Sequence, residues 1–262
     1  MTVVYLPLLL SPAQFVSQHL EIGALRRAHQ AQMLRRFAHA HRIVMAEFGG
    51  DLAVDGEIGR FVAALALAYM LGSIPSGLLV GRVFKGIDLR EYGSGKTGAT
   101  NALRTLGVGP AVLVIAMDMI KGLLALVIAY ALTDSIAAES VAGLAAAAGH
   151  NWPVFAQFRG GRGVLVSFAI FLVLCWPAAL VATLIGIVLI ALSRYVSLGV
   201  LVGTGIGVVA AMPVVVTGHA SPWVLLYTVA GAALIVARHW DNIERLRDGT
   251  ERKLGQRAQP VG

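Results

Sequence analysis

Long apolar runs separated by short basic segments occupy the chain from residue 58 onward. A helix that crosses a bilayer needs about 20 consecutive apolar residues, because each residue advances it by about 1.5 Å. Hydrophobic residues make up 57% of the chain and charged residues only 13%, whereas soluble domains carry about a quarter charged residues. The sequence therefore predicts an all-α integral membrane protein.

Seven spans are predicted from these runs, at 58–81, 108–132, 136–156, 164–176, 178–193, 197–217 and 222–237. The run 164–192 admits one long helix kinked at Pro177 or two short helices that turn there. With two helices, every short basic loop falls on one side, which the positive-inside rule makes cytoplasmic. The opposite loops carry Asp134, Glu139 and His219. We therefore predict seven transmembrane helices, with the N-terminus outside and the C-terminus in the cytoplasm.

Residues 1–57 differ in composition from the rest of the chain. Arginines among Leu, Met, Phe and Ala over residues 25–46 are typical of an amphipathic helix on a membrane surface. A translation start at Met45 is the alternative explanation of this segment. The sequence thus predicts a basic extension (1–57), a seven-helix membrane domain (58–255) and a short tail (256–262).

Three glycine- and arginine-rich clusters stand where predicted spans meet cytoplasmic loops. They comprise residues 93–101 with Arg104, residues 149–150 with 159–163, and residues 238–242. Glycines expose backbone N–H groups, and arginine offers a planar fork of donors to phosphate. Since all three clusters are predicted on one face, they can form a single polyanion site at the membrane surface.

The first cluster contains small and polar residues that suit an anion. Its segment 95–97 is similar to part of a nucleotide phosphate loop, but Arg90 stands where that motif requires glycine. A flexible, glycine-rich interfacial turn is the alternative interpretation. The residues predicted to contact an anion are Gly93, Ser94, Gly95, Asn101 and Arg104.

The second cluster immediately precedes a predicted helix. Consecutive N–H groups at a helix N-terminus favour a phosphate group, although a simple positive-inside turn is the alternative. The residues predicted to hold that phosphate are Gly160, Gly161, Arg162 and Gly163.

Asp118 and Lys121 lie three residues apart in the second predicted span, and so on one helical face. Charges in a membrane usually mark function, but a self-neutralising structural pair is equally compatible. In the third cluster, His239 and Asn242 are one helical turn apart and can point to the same place. A histidine stabilised by the helix dipole is the alternative there. The single cysteine, Cys175, offers neither a disulfide nor a cysteine metal site.

Together these segments resemble the bacterial acyl-phosphate:glycerol-3-phosphate acyltransferase family, membrane enzymes of the first acylation in phospholipid synthesis. The match runs from about Gly72 to Lys253. It rests on Gly72-Ser73-Ile74-Pro75-Ser76-Gly77, residues 93–104, Asp118 with Lys121-Gly122, residues 149–163, and Arg238-His239 with Asn242 through Glu251. The resemblance also implies seven spans and an active site that faces the cytoplasm of a bacterial cell membrane.

The resemblance implies a role for each motif residue. Ser94 and Arg104 hold glycerol 3-phosphate, and the loop 160–163 cradles the acyl phosphate. His239 and Asn242 complete the catalytic set, and Lys121 contacts substrate. Glu251 is a structural acid, and Asp118 is a structural residue near the site. Two positions depart from the family: Lys96 replaces the usual Asn, and Arg162 the usual Lys. Both departures retain or add positive charge.

An acyl phosphate is a mixed anhydride and is already activated, so no covalent enzyme intermediate, metal or cofactor is expected. Positioning and charge neutralisation then carry the reaction. Either a substrate phosphate or His239 accepts the proton. The expected partners are the two substrates, the lipid bilayer and the enzyme that makes the acyl phosphate. The net charge of +7 is attributed to the positive-inside bias rather than to nucleic acid. The alternative function is transport of phosphate or organic phosphate anions.

Overall fold

The computed structural model describes residues 56–260, and all of the regular elements in that range are helices. The predicted amphipathic segment, residues 25–46, lies outside the described residues. An isolated antiparallel bridge joins Tyr92 and Pro260. The helices are α1 (Glu57–Gly72), α2 (Ser76–Lys85), α3 (Ala99–Leu106), α4 (Val108–Thr133), α5 (Ile136–Asn151), α6 (Val164–Leu174), α7 (Trp176–Ser193), α8 (Val196–Val216), α9 (Pro222–Arg238) and α10 (Trp240–Arg247).

Four helical segments in this range are long and apolar enough to cross a membrane. They are Glu57–Lys85, which comprises α1 and α2, and helices α4, α7 and α8. Helices α9 and α10 together give a fifth candidate, bent by 60° between them. The predicted count of seven also requires α5, with 16 residues, and α6, with 11. The protein is therefore an all-helical integral membrane protein, while the seven-span topology and its orientation stay predictions.

The run 164–192 forms two helices rather than one. Helix α6 ends at Leu174, Cys175 has a non-helical backbone, and α7 begins at Trp176. Pro177 occupies the first turn of α7, where its missing N–H breaks no intrahelical hydrogen bond. Two helices here are the arrangement that the distribution of basic loops favours.

Small residues allow the helices to approach closely at the centre of the bundle. A Cβ atom at Gly72 of α1 would lie 2.1 Å from the backbone oxygen of Ala146 on α5. One turn further, a Cβ atom at Gly149 would lie 2.2 Å from the backbone oxygen of Tyr69. Contacts of this kind replace the hydrophobic effect as the cohesive force between helices in lipid. They fix α5 against α1 and so place the connection after α5 beside the other polar loops.

Candidate active site

A polar cavity of about 350 Å³ opens where residues of all three glycine- and arginine-rich clusters meet. The 14 predicted site residues divide into two groups around it. Nine of them line the cavity, namely Ser94, Asn101, Arg104, Asp118, Arg162, Gly163, His239, Asn242 and Glu251. The other predicted residues, which do not line it, are Gly93, Gly95, Lys121, Gly160 and Gly161.

Asn101, at the start of α3, organises the first loop. Its Nδ2 donates to the backbone oxygens of Leu89, Tyr92 and Lys96, at 3.0, 3.0 and 2.9 Å. Its Oδ1 accepts from the Ser94 backbone N–H at 3.1 Å. The sequence predicts Asn101 as a substrate ligand, but in the structure its side-chain amide is hydrogen-bonded to backbone groups of the first loop. Asn101 therefore shapes the loop that presents Ser94.

Gly93 and Gly95 allow the backbone conformation of this same loop. Both have positive φ values, 60° and 67°, which side chains other than glycine rarely adopt. A Cβ atom at Gly93 would also lie 2.2 Å from Asn101 Oδ1. These two glycines support the loop from outside the cavity rather than approach a ligand within it.

Arg104, at the end of α3, is half-buried beside the cavity. Its Nη2 donates to the backbone oxygens of Arg252 at 3.0 Å and Lys253 at 3.4 Å. Its Nε is buried and has no hydrogen-bond partner among the described residues. Burial lowers the pKa of Arg104, an effect that Glu251 opposes, and the guanidinium remains a cation. Arg104 thus offers a positively charged fork with donors still to be satisfied.

Arg162, before α6, supplies a second cation. Its Nη2 donates to Asp241 Oδ2 at 2.9 Å, and its Nε to the Arg238 backbone oxygen at 3.2 Å. Burial lowers the pKa of Arg162, and Asp241 opposes that shift. Gly163, which caps α6 with a φ of 72°, lines the cavity next to it. The side chain is therefore held in place by protein groups while its charge faces the cavity.

Gly160 and Gly161 pack against His150 instead of lining the cavity. The Gly161 N–H donates to the His150 backbone oxygen at 3.1 Å. A Cβ atom at Gly160 would lie 2.1 Å from that oxygen, and one at Gly161 would lie 2.1 Å from His150 Nε2. The Gly161 N–H thus already has a protein acceptor, and its predicted contact with an anion stays a prediction. These glycines let the loop sit directly on α5, which fixes the position of Arg162.

His239, between α9 and α10, is buried. Its Nδ1 lies 2.8 Å from the Ile235 backbone oxygen, so the neutral ring carries its proton on Nδ1 and leaves Nε2 as an acceptor. Burial and the neighbouring Arg162 lower the pKa of His239 to about 4. The imidazole is consequently neutral at physiological pH.

Glu251 connects α8, α10 and the C-terminal segment. Its Oε1 accepts from Ser197 Oγ at 2.8 Å and from Asn242 Nδ2 at 2.7 Å, and its Oε2 from Arg245 Nε at 2.8 Å. Burial raises the pKa of Glu251, but hydrogen bonds from Arg245, Ser197 and Asn242 outweigh burial and hold the pKa below its usual value. This geometry fits a structural acid. It also turns Asn242, whose Oδ1 lacks a partner among the described residues, toward the cavity.

Asp118, Lys121 and His150 form a buried cluster below the second loop. Lys121 Nζ lies 2.9 Å from each of Asp118 Oδ1, His150 Nδ1 and the Ile74 backbone oxygen. Asp118 and His150 line the cavity, whereas Lys121 does not. The predicted direct contact between Lys121 and substrate is therefore not supported, because its ammonium is engaged by the protein.

Four polar residues outside the predicted set also line the cavity, namely Lys96, Thr100, His150 and Ser197. Burial, and secondarily Arg238, lower the pKa of Lys96, while Asp241 opposes the shift. Two of these residues could have been found from sequence. Lys96 departs from the family pattern, and His150 belongs to the second glycine- and arginine-rich cluster. Ser197 carries no sequence signal, since it is one of several small residues in an apolar helix.

An apolar groove of about 310 Å³ lies among α6, α7, α8 and α9. Phe168, Phe171 and Ile187 contribute to its walls. Val164, Leu165 and Val200 line both the groove and the polar cavity. The polar cavity and the apolar groove thus adjoin at these three residues.

Most of the described chain is similar to known proteins. The family model described as glycerol-3-phosphate acyltransferase matches residues 62–249. A glycerol-3-phosphate acyltransferase of Parasynechococcus marenigrum is 47% identical over 196 residues, which cover 74% of this chain and 90% of that protein. One from Thermus thermophilus is 44% identical over 198 residues, covering 76% of this chain and 97% of the relative.

The crystal structure of PlsY, an integral membrane glycerol 3-phosphate acyltransferase, is similar in its glycerol 3-phosphate form. It has a TM-score of 0.68 and 35% sequence identity, and the match covers 74% of this chain and 96% of that one. The lysophosphatidic acid form of PlsY gives a TM-score of 0.65 with 34% identity, covering 74% and 95% of the two chains. From the matched family model, the relatives and the shared helical fold, this chain belongs to the glycerol-3-phosphate acyltransferase family of integral membrane proteins.

Proposed function

We propose that this protein transfers an acyl group from an acyl phosphate to the 1-hydroxyl of glycerol 3-phosphate. The products are 1-acyl-glycerol 3-phosphate, a lysophosphatidic acid, and inorganic phosphate. The observation that carries the proposal is a polar cavity with two separate arginines, Arg104 and Arg162, that adjoins an apolar groove. A donor with a phosphate and an acyl chain, together with a phosphorylated acceptor, matches that combination.

Each of the two arginines binds a different phosphate. Ser94, in the first loop, and Arg104, at the end of α3, bind the phosphate of glycerol 3-phosphate. Arg162 and Gly163 stand at the N-terminus of α6, where a helix favours negative charge, and bind the phosphate of the donor. Lys96 lines the same cavity and adds a third positive charge.

The apolar groove receives the acyl chain of the donor. Val164, Leu165 and Val200 line both spaces, so the acyl carbonyl carbon lies at the junction between them. Burying an acyl chain contributes about 0.8 kcal/mol for each CH₂ group removed from water. Binding energy from the chain thus helps to position the reacting anhydride.

The reaction is a direct displacement. The 1-hydroxyl oxygen of glycerol 3-phosphate attacks the acyl carbonyl carbon, the bond from that carbon to the phosphate oxygen breaks, and the hydroxyl proton passes to a phosphate oxygen. The cations neutralise charge on both phosphates and hold the reactants together. His239 is neutral and fixed by Ile235, so it contributes through a hydrogen bond from substrate to Nε2 rather than as a strong base.

The protein acts in the cytoplasmic membrane of a bacterium, with the cavity on the cytoplasmic side. The basic loops support this orientation through the positive-inside rule. The enzyme that makes the acyl phosphate is the expected supplier of the donor. Transport of phosphate, the alternative function, would favour a binding site near the bilayer midplane, whereas here loop residues form much of the cavity.

The test is a comparison of donors. Purified protein is mixed with radiolabelled glycerol 3-phosphate and either palmitoyl phosphate or palmitoyl-CoA, and labelled lysophosphatidic acid is measured. We expect product from palmitoyl phosphate only. Arg104→Ala serves as the control for spontaneous acylation by the reactive anhydride. Equal or faster product formation from palmitoyl-CoA would overturn the proposed donor.

A further inference from the structure

The chain continues beyond α10 as an ordered segment, residues 251–260, here called the C-terminal strap. Glu251 fixes its beginning through Ser197, Asn242 and Arg245. Its middle is fixed at Leu254, whose N–H donates to the Arg194 backbone oxygen at 2.7 Å and whose oxygen accepts from Arg194 Nη2 at 2.9 Å. The match to the family model ends at residue 249, and the sequence resemblance ends at about Lys253, so most of the strap lies beyond both.

The strap binds the backbone of the first loop. Arg252 Nη1 donates to the Gly93 backbone oxygen at 2.8 Å, and the Gly93 N–H donates to the Gln259 oxygen at 2.8 Å. The Ala258 N–H donates to the Arg104 backbone oxygen at 3.2 Å. Both backbone groups of the residue that precedes Ser94 are therefore held by the strap.

The strap also orients the Arg104 side chain. The backbone oxygens of Arg252 and Lys253 accept from Arg104 Nη2 at 3.0 and 3.4 Å. These contacts use one nitrogen of the fork and leave Nε, which has no hydrogen-bond partner among residues 56–260, for a ligand. Arg252 contacts both parts with polar groups, because its carbonyl accepts from the Arg104 side chain and its guanidinium donates to Gly93.

We propose that the C-terminal strap positions the glycerol 3-phosphate site, and that Arg252 is its main positioning residue. The strap holds the loop before Ser94 and the fork of Arg104 in place before substrate binds. This lowers the entropic cost of ordering these groups on binding. The inference rests on the proposed assignment of Ser94 and Arg104 to glycerol 3-phosphate. Residues 256–260 of the strap belong to the segment predicted from sequence as a short tail (256–262).

The first experiment replaces Arg252 with methionine, which keeps a long side chain but removes the donor to Gly93. We expect the KM for glycerol 3-phosphate to rise by about tenfold, as for loss of one hydrogen bond from a charged group. The KM for acyl phosphate and the melting temperature should stay unchanged. Arg252→Lys, which retains a donor, should recover part of the loss. Arg247→Met, at an exposed arginine of α10, is the matched control.

A second variant removes residues 255–262 and keeps Glu251 and Arg252. It deletes the Gln259 and Ala258 contacts to the first loop, so the same selective rise in the KM for glycerol 3-phosphate is expected. An unchanged KM in both variants would overturn the proposal. A parallel change in both KM values and in melting temperature would also overturn it, because that pattern indicates general structural damage.

Equilibrium binding separates this inference from the proposed function. Calorimetric titration of glycerol 3-phosphate needs no acyl donor, so it tests the strap even if the protein fails to use acyl phosphate. Weaker binding by Arg252→Met than by wild type and Arg247→Met supports the strap. Equal dissociation constants would overturn it, whatever the identity of the donor.

Discussion

At the scale of single residues, His239 has an environment that keeps it neutral. Burial opposes a charged imidazole, and Arg162 adds repulsion, so the pKa lies at about 4 instead of 6.5. Because the pKa is lowered, the ring loses its bound proton well below physiological pH. No change in the charge of His239 is then expected between about pH 5 and pH 8.

The variant His239→Gln tests this account of the histidine. Glutamine retains hydrogen-bonding capacity, so the variant should keep much of kcat, and its profile of rate against pH should match that of wild type from about pH 5 to pH 8. The measurement is kcat for acyl transfer across that range with purified, folded protein. A loss of more than about a hundredfold, together with disappearance of an acidic limb, would show that His239 acts as the general base.

The chemical character of individual residues could be predicted from the sequence, but their hydrogen-bond partners could not. Arg104 and Arg162 are cations suited to phosphate in any setting, and both line the cavity as predicted from the motifs. Three other predicted ligands also carry N–H donors, but in the structure these donors bond to backbone oxygens of the protein. They are Asn101, Gly161 and Lys121. Partner choice depends on which distant chain segments pack together, and local residue patterns do not show this packing.

At the scale of elements, the second loop depends on direct packing of Gly160 on α5. A Cβ atom there would lie 2.1 Å from the His150 backbone oxygen and 2.5 Å from Pro153 Cδ. Neither neighbour is the end of a flexible side chain, so the loop itself would have to move. Displacement of the loop carries Arg162 with it.

We therefore expect Gly160→Ala to raise the KM for acyl phosphate by at least about tenfold, a loss of roughly 1.4 kcal/mol of binding. The KM for glycerol 3-phosphate should change less, because the first loop does not rest on Gly160. Gly109→Ala is the control, since a Cβ atom at that position of α4 has no neighbour within 4 Å. Equal kinetics for Gly160→Ala and wild type would remove the loop from donor binding.

Helices were more predictable than the segments between them. Apolar runs located α4, α8 and α9 to within a few residues, because lipid requires long apolar helices. The predicted span 136–156 is shorter in the structure, since α5 ends at Asn151 and a short 3₁₀ turn follows. The C-terminal strap was missed because backbone hydrogen bonds hold it in place, and these leave no hydrophobic period in the sequence.

At the scale of the whole molecule, the predicted topology places the loops after α4 and α8 outside the cell. Single cysteines at exposed Asp134 and His219 should react with an impermeant maleimide in intact cells. Cysteines at Gly95 and Arg247 should react only after the membrane is opened. The native Cys175, which is buried, is replaced by alanine in all of these variants. Labelling at Gly95 in intact cells would contradict a cytoplasmic site.

The proposed function requires that different cations of one cavity bind the two phosphates. The direct measurement is the steady-state KM for both substrates in Arg104→Lys and Arg162→Met. Because lysine lacks the planar fork, Arg104→Lys should raise the KM for glycerol 3-phosphate and leave that for acyl phosphate nearly unchanged. Arg162→Met should do the reverse. If both variants raise the same KM, or if neither KM changes, the assignment of the two phosphates is wrong.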